Sequence, residues 1–480
     1  MFSSDEAQAR AEVPSGGGGT GARSIRELQE FVRIPSVSAD PARTVDVERC
    51  AGWLAQRLKR AGLTTVRIVP TAGHPIVVAR WQGAPGKATV LIYGHYDVQP
   101  ARVEDGWRFP PFAAVVKDGH LYGRGASDDK GQMFTHVTAI ERLLRANGTL
   151  PVNVVCLFEG EEEIGSPNLV PYLSRHREAL AADFAVVSDT RMLSPDQPAL
   201  TRSLRGQLAL ELEVLGPSHD LHSGSFGGAV HDPAQALCEI VARLHDGAGR
   251  IAVPGFYDRV RRHSRSARSA IMRHAASDAS VLAEAGASTP WGESGYTIAE
   301  RLALRPSLSV TGLVSGHTGQ GPKSVIPARA LAKLSFRLVP DQEPEEIAHL
   351  VRDYIASITP PTVRSTVHGQ FAARPATIDP NHPAMRAAAR AYARVFRRRP
   401  VLIASGGTIP AVSEFARILG IPTVLMGFAS PGEAAHGPNE KFSLRNFHRG
   451  ILTSMAFLGN LGGLRRADLR AGAQKRNAFA

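Results

Sequence analysis

Six side chains in this sequence could do chemistry together: His95, Asp128, Glu162, Glu163, Asp189 and His436. Two imidazoles and several carboxylates, with no cysteine among them, suit a hydrolytic zinc site or another borderline divalent ion. There are too many carboxylates for one ion. An aspartate bridging two ions, with one histidine and one further carboxylate on each, accounts for five of the six. That leaves one glutamate free as a general base. Two ions about 3.5–4 Å apart would acidify a water held between them. Each motif also has a plainer reading. His95 and Asp97 could be a polar strand end that binds water, and Asp128 with Asp129 could be a helix cap. Glu159, Glu161, Glu162 and Glu163 could be a solvated acidic loop. Their common position, each just past an apolar run or a glycine-rich loop, favours the chemical reading.

The apolar runs predict the elements that carry them. Thr89 to Tyr93 reads as a buried parallel strand ending at His95 and Asp97. Open α/β sheets bind ligands at such strand ends. Val152 to Phe158 and Phe184 to Val187 are strands of the same kind, ending at the glutamate run and at Ser188-Asp189. Tyr122 to Gly131 is a tight loop feeding a long helix, and a helix N-terminus favours nearby negative charge. Ser405 to Pro410 is a glycine-rich loop before a helix, and Thr423 to Phe428 is a strand followed by the loop with His436.

Upstream, Ser24 to Glu27 reads as a capping box, and a helix from Thr44 to Ala61 stops at Gly62. The pattern changes near Arg205. Leu208, Leu210, Leu212 and Val214 alternate on one face, as in a half-exposed antiparallel strand. A helix capped by Asp232 follows, then strands at Leu308–Val310 and Ala330–Leu338, a helix near Glu345–Ile355 and a strand near Val363–Val367. This βαββαβ-like unit reads as an α+β domain inserted into an α/β domain with a mainly parallel sheet flanked by helices. The expected division is a disordered tail over 1–22, a first catalytic part over 23–203, the insert over 204–376, a second catalytic part over 377–464 and a basic tail over 465–480.

The 480 residues carry a net charge of +12, and 43% of them are hydrophobic. The basic excess clusters at Arg259–Arg273, Arg397–Arg399 and the C-terminus without aromatic interleaving, so a solvated surface is favoured over a nucleic-acid partner. No apolar run reaches the roughly 18 residues of a membrane span. The N-terminus lacks a basic-then-apolar signal, which predicts a cytoplasmic protein. Cys50, Cys156 and Cys238 read as buried thiols with no disulfide framework.

Taken in order, the stretches Tyr93–Pro100, Tyr122–Gly131, Glu159–Ser166, Asp220–Gly224, Lys323–Pro327 and Gly432–Lys441 resemble the dinuclear zinc peptidases. That family includes carnosinase, glutamate carboxypeptidase, aminoacylase and succinyl-diaminopimelate desuccinylase. The likeness spans about residues 24–463 and is strongest to the non-specific dipeptidase branch. It implies His95 and Asp189 on one ion, Glu163 and His436 on the other, and Asp128 bridging through a cis peptide to Asp129. It implies Glu162 as general base and Asp97 orienting His95. The insert would serve as lid and dimerisation domain, with hinges near Leu204 and Ala376. His222 would reach into the partner's site of a homodimer, and Arg337 would pair with the substrate's C-terminal carboxylate. Ser324 stands where the family usually has threonine and Thr408 where it has serine, so both hydroxyls are kept. Gly407 would let the backbone approach the substrate. The resemblance implies zinc, with manganese or cobalt as alternatives, and a short peptide as substrate. An N-acyl-amino-acid amidohydrolase on the same scaffold is the rival activity.

Overall fold

The computed structural model describes residues 18–469. A nine-stranded sheet forms the larger layer. Its centre is four parallel strands in the order Asn153–Glu159, Thr89–His95, Phe184–Val187 and Thr423–Leu425. Antiparallel strands Thr65–Val69 and Ile76–Trp81 extend one side. Strand Ala199–Leu204 extends the other and pairs with Ala376–Thr377 and Val401–Ala404. Every residue of Thr89–His95 is buried, so helices must cover both faces of the sheet. Thr44–Arg60, Lys130–Asn147, Pro383–Phe396 and Leu444–Gly462 pack around it. The parallel direction puts the C-terminal ends of three of these strands side by side, which is where His95, Glu159 to Glu163 and Asp189 emerge.

A second, four-stranded antiparallel sheet runs in the order Ser307–Ser315, Arg329–Leu338, Gly206–Leu215 and Arg364–Ala373. Gly206–Leu215 alternates strictly between buried and half-buried residues. Helices Pro233–Ala242 and Pro344–Ile358 cover the buried face, completing a βαββαβ unit. It has its own apolar cluster, around Leu212, Phe256, Phe336 and Val351. The chain leaves the larger cluster after Leu204 and rejoins it at Ile378.

Several expectations need correction. The first helix spans Gly18–Val32, so residues 18–22 are not tail, and Ser24 lies inside the helix rather than capping it. Glu27 is occupied elsewhere: Arg23 donates to it at 3.0 Å and Arg57 at 3.0 Å. The rest of the predicted N-terminal tail and residues 470–480 of the basic tail lie outside the described residues. Residues 465–469 are docked, with Arg466 on Asp183 and Leu469 buried. Ser307–Ser315 is longer than predicted, and the Thr423 strand stops at Leu425. Beyond it, Gln132 Oε1 accepts the Phe428 and Ala429 N–H groups at 2.6 and 3.1 Å, and an isolated bridge, Arg191 with Ala429, continues the pairing. Cys50 and Cys156 are buried, but Cys238 is exposed on the outer side of helix Pro233–Ala242.

Candidate active site

His95 ends its strand with Nε2 3.1 Å from Asp128 Oδ1 and 3.9 Å from Asp189 Oδ2. Asp128 Oδ2 lies 2.9 Å from His436 Nε2, which lies 3.2 Å from Glu163 Oε2. Two donor groups therefore share Asp128: His95, Asp128 and Asp189, and Asp128, Glu163 and His436. Within each, the ligand atoms lie within 4.8 Å of one another. The Asp128–Asp129 peptide is cis. Glu163 Oε1 is buried without a hydrogen-bond partner. Imidazole nitrogens and carboxylate oxygens, one carboxylate common to both groups, and an orphaned oxygen fit a pair of borderline divalent cations.

The electrostatics point the same way. Burial pushes Asp189 up to about 7, and the Asp128 charge adds to the effect. Burial raises Glu162 well above the usual carboxylate range; Asp189, Glu163 and Asp128 push it further, against the opposing pull of His95. Hydrogen bonds to Asp128 and Glu163 raise His436 to about 10. So many carboxylates in one buried place repel one another, and bound cations remove that repulsion.

The glutamate run divides in the folded chain. Glu159 turns away and accepts from Tyr93 Oη at 2.6 Å and Ser166 Oγ at 2.9 Å. Glu161 accepts from the His74 N–H at 2.9 Å and from Asn168 Nδ2 at 2.8 Å. Glu162 and Glu163 open a single 3₁₀ turn, Glu162–Ile164, that faces the cluster. Asp97 fixes that turn: its oxygens accept the backbone N–H groups of Glu162 at 3.2 Å and Glu163 at 3.1 Å, and Ser38 Oγ at 2.7 Å. Asp97 also lies 3.4 Å from His95 Nδ1.

Sequence reasoning gave Glu440 no role. Its buried carboxylate accepts from Gly125 N, Ser127 N and Asp128 N at 3.0, 2.9 and 3.1 Å. Arg124 bridges from it to the His436 carbonyl, at 2.8 and 2.9 Å. Gln132 adds a tie to Ser127 O at 2.8 Å. In the sequence Glu440 is one more acidic residue four positions after His436; only the fold shows that it is fully buried.

A cavity of about 570 Å³ opens on this cluster, lined by Asp128, Asp189, Gly407 and Thr408 among others. Arg337, on the half-buried face of its strand, donates from Nη1 to Thr408 Oγ1 at 2.8 Å, and Thr408 donates to Arg205 O at 2.7 Å. Arg337 thus stands behind the lining residue Thr408 rather than in the lining itself, and His222 and Ser324 are not brought to the cavity. They sit together on a two-stranded ribbon, where His222 is exposed and accepts the Gly224 N–H at 3.0 Å.

A parallel sheet with paired carboxylates and imidazoles at its strand ends defines a hydrolase of the metallopeptidase class. The chain belongs to peptidase family M20/M25/M40, whose pattern matches residues 91–460. It is 33% identical to the Cys-Gly metallodipeptidase DUG1 of Candida albicans over 461 residues, covering 91% of this chain and 94% of that protein. It is 31% identical to the Beta-Ala-His dipeptidase of Rattus norvegicus, covering 92% of this chain and 93% of the relative. The solved structure of the dipeptidase Dug1p from Saccharomyces cerevisiae superposes with a TM-score of 0.82 at 29% identity, covering 93% of this chain and 98% of that one. No helix among the described residues is long and apolar enough to cross a membrane.

Proposed function

We propose that this chain is a metal-dependent dipeptidase that hydrolyses short peptides with a free C-terminal carboxylate. The observation that carries the reading is the sharing of Asp128 between two cation-type donor groups, with Glu162 beside them. The dipeptidase names of the relatives support the substrate class. His95 and Asp189 would hold one divalent cation, Glu163 and His436 the other, and Asp128 both. Such cations, zinc first and manganese or cobalt as alternatives, polarise the scissile carbonyl and acidify the attacking water when bound. Glu162, to whose carboxylate no residue among those described donates a hydrogen bond, takes the proton of that water and returns it to the departing amine. Asp97 holds Glu162 and Glu163 in register through their backbone N–H groups.

Arg337 receives the substrate's terminal carboxylate. Its guanidinium is half-buried and touches the Thr408 hydroxyl, and burial lowers its pKa with no carboxylate among the causes. Gly407 and Thr408 line the adjoining backbone. His222, exposed and remote from the cavity, acts from a second copy of the chain, steadying the tetrahedral oxyanion. Ser324 lies beside it, its carbonyl accepting the Ser223 N–H at 3.2 Å. The inserted α+β unit is then both lid and dimerisation surface of a cytoplasmic homodimer, with no nucleic-acid or membrane partner.

The test is cleavage of a mixed dipeptide library by metal-stripped protein, before and after addition of zinc, manganese or cobalt. Restored cleavage supports the reading. Metal-dependent cleavage of N-acyl-amino acids but of no dipeptide assigns the chain to the amidohydrolase alternative. No cleavage of either class overturns both.

A further inference from the structure

The Arg259–Arg273 cluster had no assigned role in the sequence, and it lies in the segment between helix Pro233–Ala242 and strand Ser307–Ser315. That segment folds into three short helices, Arg265–Ile271, Asp278–Ala285 and Ile298–Leu304. Its arginines hold it together and hold it in place. Arg305 grips Glu293 with two bonds of 2.7 Å, and Arg301 donates to the Glu293 carbonyl at 2.8 Å. Arg268 reaches Gly295 O and Glu300, and Arg259 pairs with Glu346 on the neighbouring helix. Arg259, Arg261 and Arg268 of the basic cluster are thus used in bracing ion pairs.

The apolar side chains go the other way. Ile271, Met272, Val281, Ala299, Leu302 and Ala303 line the same cavity as Asp128 and Asp189. Leu302 is 45% exposed although its neighbour Ala303 is buried, so its side chain meets the open cavity rather than a packed core. Arg205 fixes where this wall stands. It donates to Gly406 O at 3.1 Å and to the carbonyls of Arg301 and Arg305 at 3.4 Å each. Gly406 is pressed so closely against the Leu302 carbonyl that an added Cβ would lie 2.7 Å from it. The apolar wall and the Gly406 to Thr408 loop therefore stand at one set spacing. Few ionisable groups offset it: besides Asp128 and Asp189, the cavity is lined by Glu433, Arg191 and His274. The Glu433 carboxylate is already used, by Ser430 N at 2.8 Å and Ser443 N at 2.9 Å.

Resting on the dipeptidase reading, we propose that residues 265–304 form the side-chain pocket of the substrate and select dipeptides bearing an aliphatic or aromatic side chain. Thr408, which accepts from Arg337, lines the cavity together with Asp128, so a substrate with its carboxylate at the Arg337–Thr408 pair and its scissile carbonyl near Asp128 lies along this wall. An apolar side chain then loses water against Met272 and Leu302, whereas an anionic one finds only Arg191 or His274 as a partner and a cationic one only the already engaged Glu433.

The test compares kcat/KM of the metal-loaded full chain on Gly-Gly and on dipeptides in which either residue is Leu, Phe, Asp or Lys. The expected result is a preference of at least about tenfold for Leu or Phe over Gly, in line with the leverage of apolar pockets. Leu302→Asp should reduce the Leu-to-Gly ratio about tenfold and raise the relative rate on Lys substrates. Leu302→Ala, which removes only cavity-facing surface, should lower the Phe-to-Gly ratio without introducing charge. Ratios unchanged in both variants overturn the assignment of the wall. A wild-type preference for Asp substrates overturns the apolar pocket and points to Arg191. Cleavage of no dipeptide at all overturns the dipeptidase reading itself, and this inference with it.

Discussion

Replacing Glu440 by Gln should weaken cation binding, although Glu440 belongs to neither donor group. Its Oε2 accepts from Arg124 Nη1 at 2.8 Å and Gly125 N at 3.0 Å, and its Oε1 from Ser127 N at 2.9 Å, Ser127 Oγ at 3.2 Å and Asp128 N at 3.1 Å. All five partners are donors. A glutamine can keep one oxygen on the Ser127 and Asp128 side, but its NH₂ then faces Gly125 N–H and the Arg124 guanidinium, two donors against a donor. Both members of the Arg124–Glu440 pair are almost fully buried, at 3% and 0% side-chain exposure. Breaking a buried pair costs roughly 3–5 kcal/mol. Arg124 also holds the His436 carbonyl at 2.9 Å, so one substitution loosens His436 of one donor group and the Asp128 shared by both. Supporting substitutions of this kind lower metal affinity about 10–100-fold. Isothermal titration of stripped protein with zinc measures the affinity, and urea unfolding measures the stability. A Glu440→Gln protein that loses stability but binds both ions as tightly as wild type would refute the positioning argument, because its role would then be structural alone.

Three further outcomes are expected. Glu162→Gln should lower kcat by roughly 10²–10⁴ while leaving two ions bound per chain, as judged by metal analysis. Arg337→Ala should reduce kcat/KM on dipeptides roughly 10- to 100-fold, the loss expected of a hydrogen bond to a charged group. C-terminally amidated dipeptides should lose much less, and an equal loss on both would remove Arg337 from carboxylate recognition. Arg57→Met should destabilise the fold by roughly 3–5 kcal/mol, because Arg57 is the fully buried partner between Glu27 and Glu141, and its loss leaves both carboxylates only the more exposed arginines Arg23 and Arg145. Urea unfolding checks it, and a change under about 1 kcal/mol would show that Arg23, with Arg145 on Glu141, satisfies both glutamates.

Much of the fold was legible because it rests on periodicity. The unbroken apolar runs at 90–93, 154–158 and 184–187 can be satisfied only between two covered faces, which makes them neighbouring parallel strands. The alternation in Gly206–Leu215 can be satisfied only by a sheet with one covered face. Capping was less reliable. Asp232 caps its helix as its sequence predicts, accepting from Ala234 N at 2.8 Å, but Ser24 does not, because Glu27 is drawn to an arginine 30 residues away.

By itself, then, the sequence determined which chemical groups arrive at the C-terminal edge of the large sheet, since strand direction and strand ends follow from local pattern. Only the tertiary structure decided which of them face one another. Glu159, Glu161, Glu162 and Glu163 are equivalent in the sequence, yet Tyr93 and Ser166 take the first, His74 and Asn168 the second, and Asp97 turns the last two toward the cluster. Glu440 and the wall around Leu302 were invisible for the same reason. An irregular turn has no period, so the direction of each side chain is set by whichever distant donor or apolar surface the packed chain brings within a few ångströms.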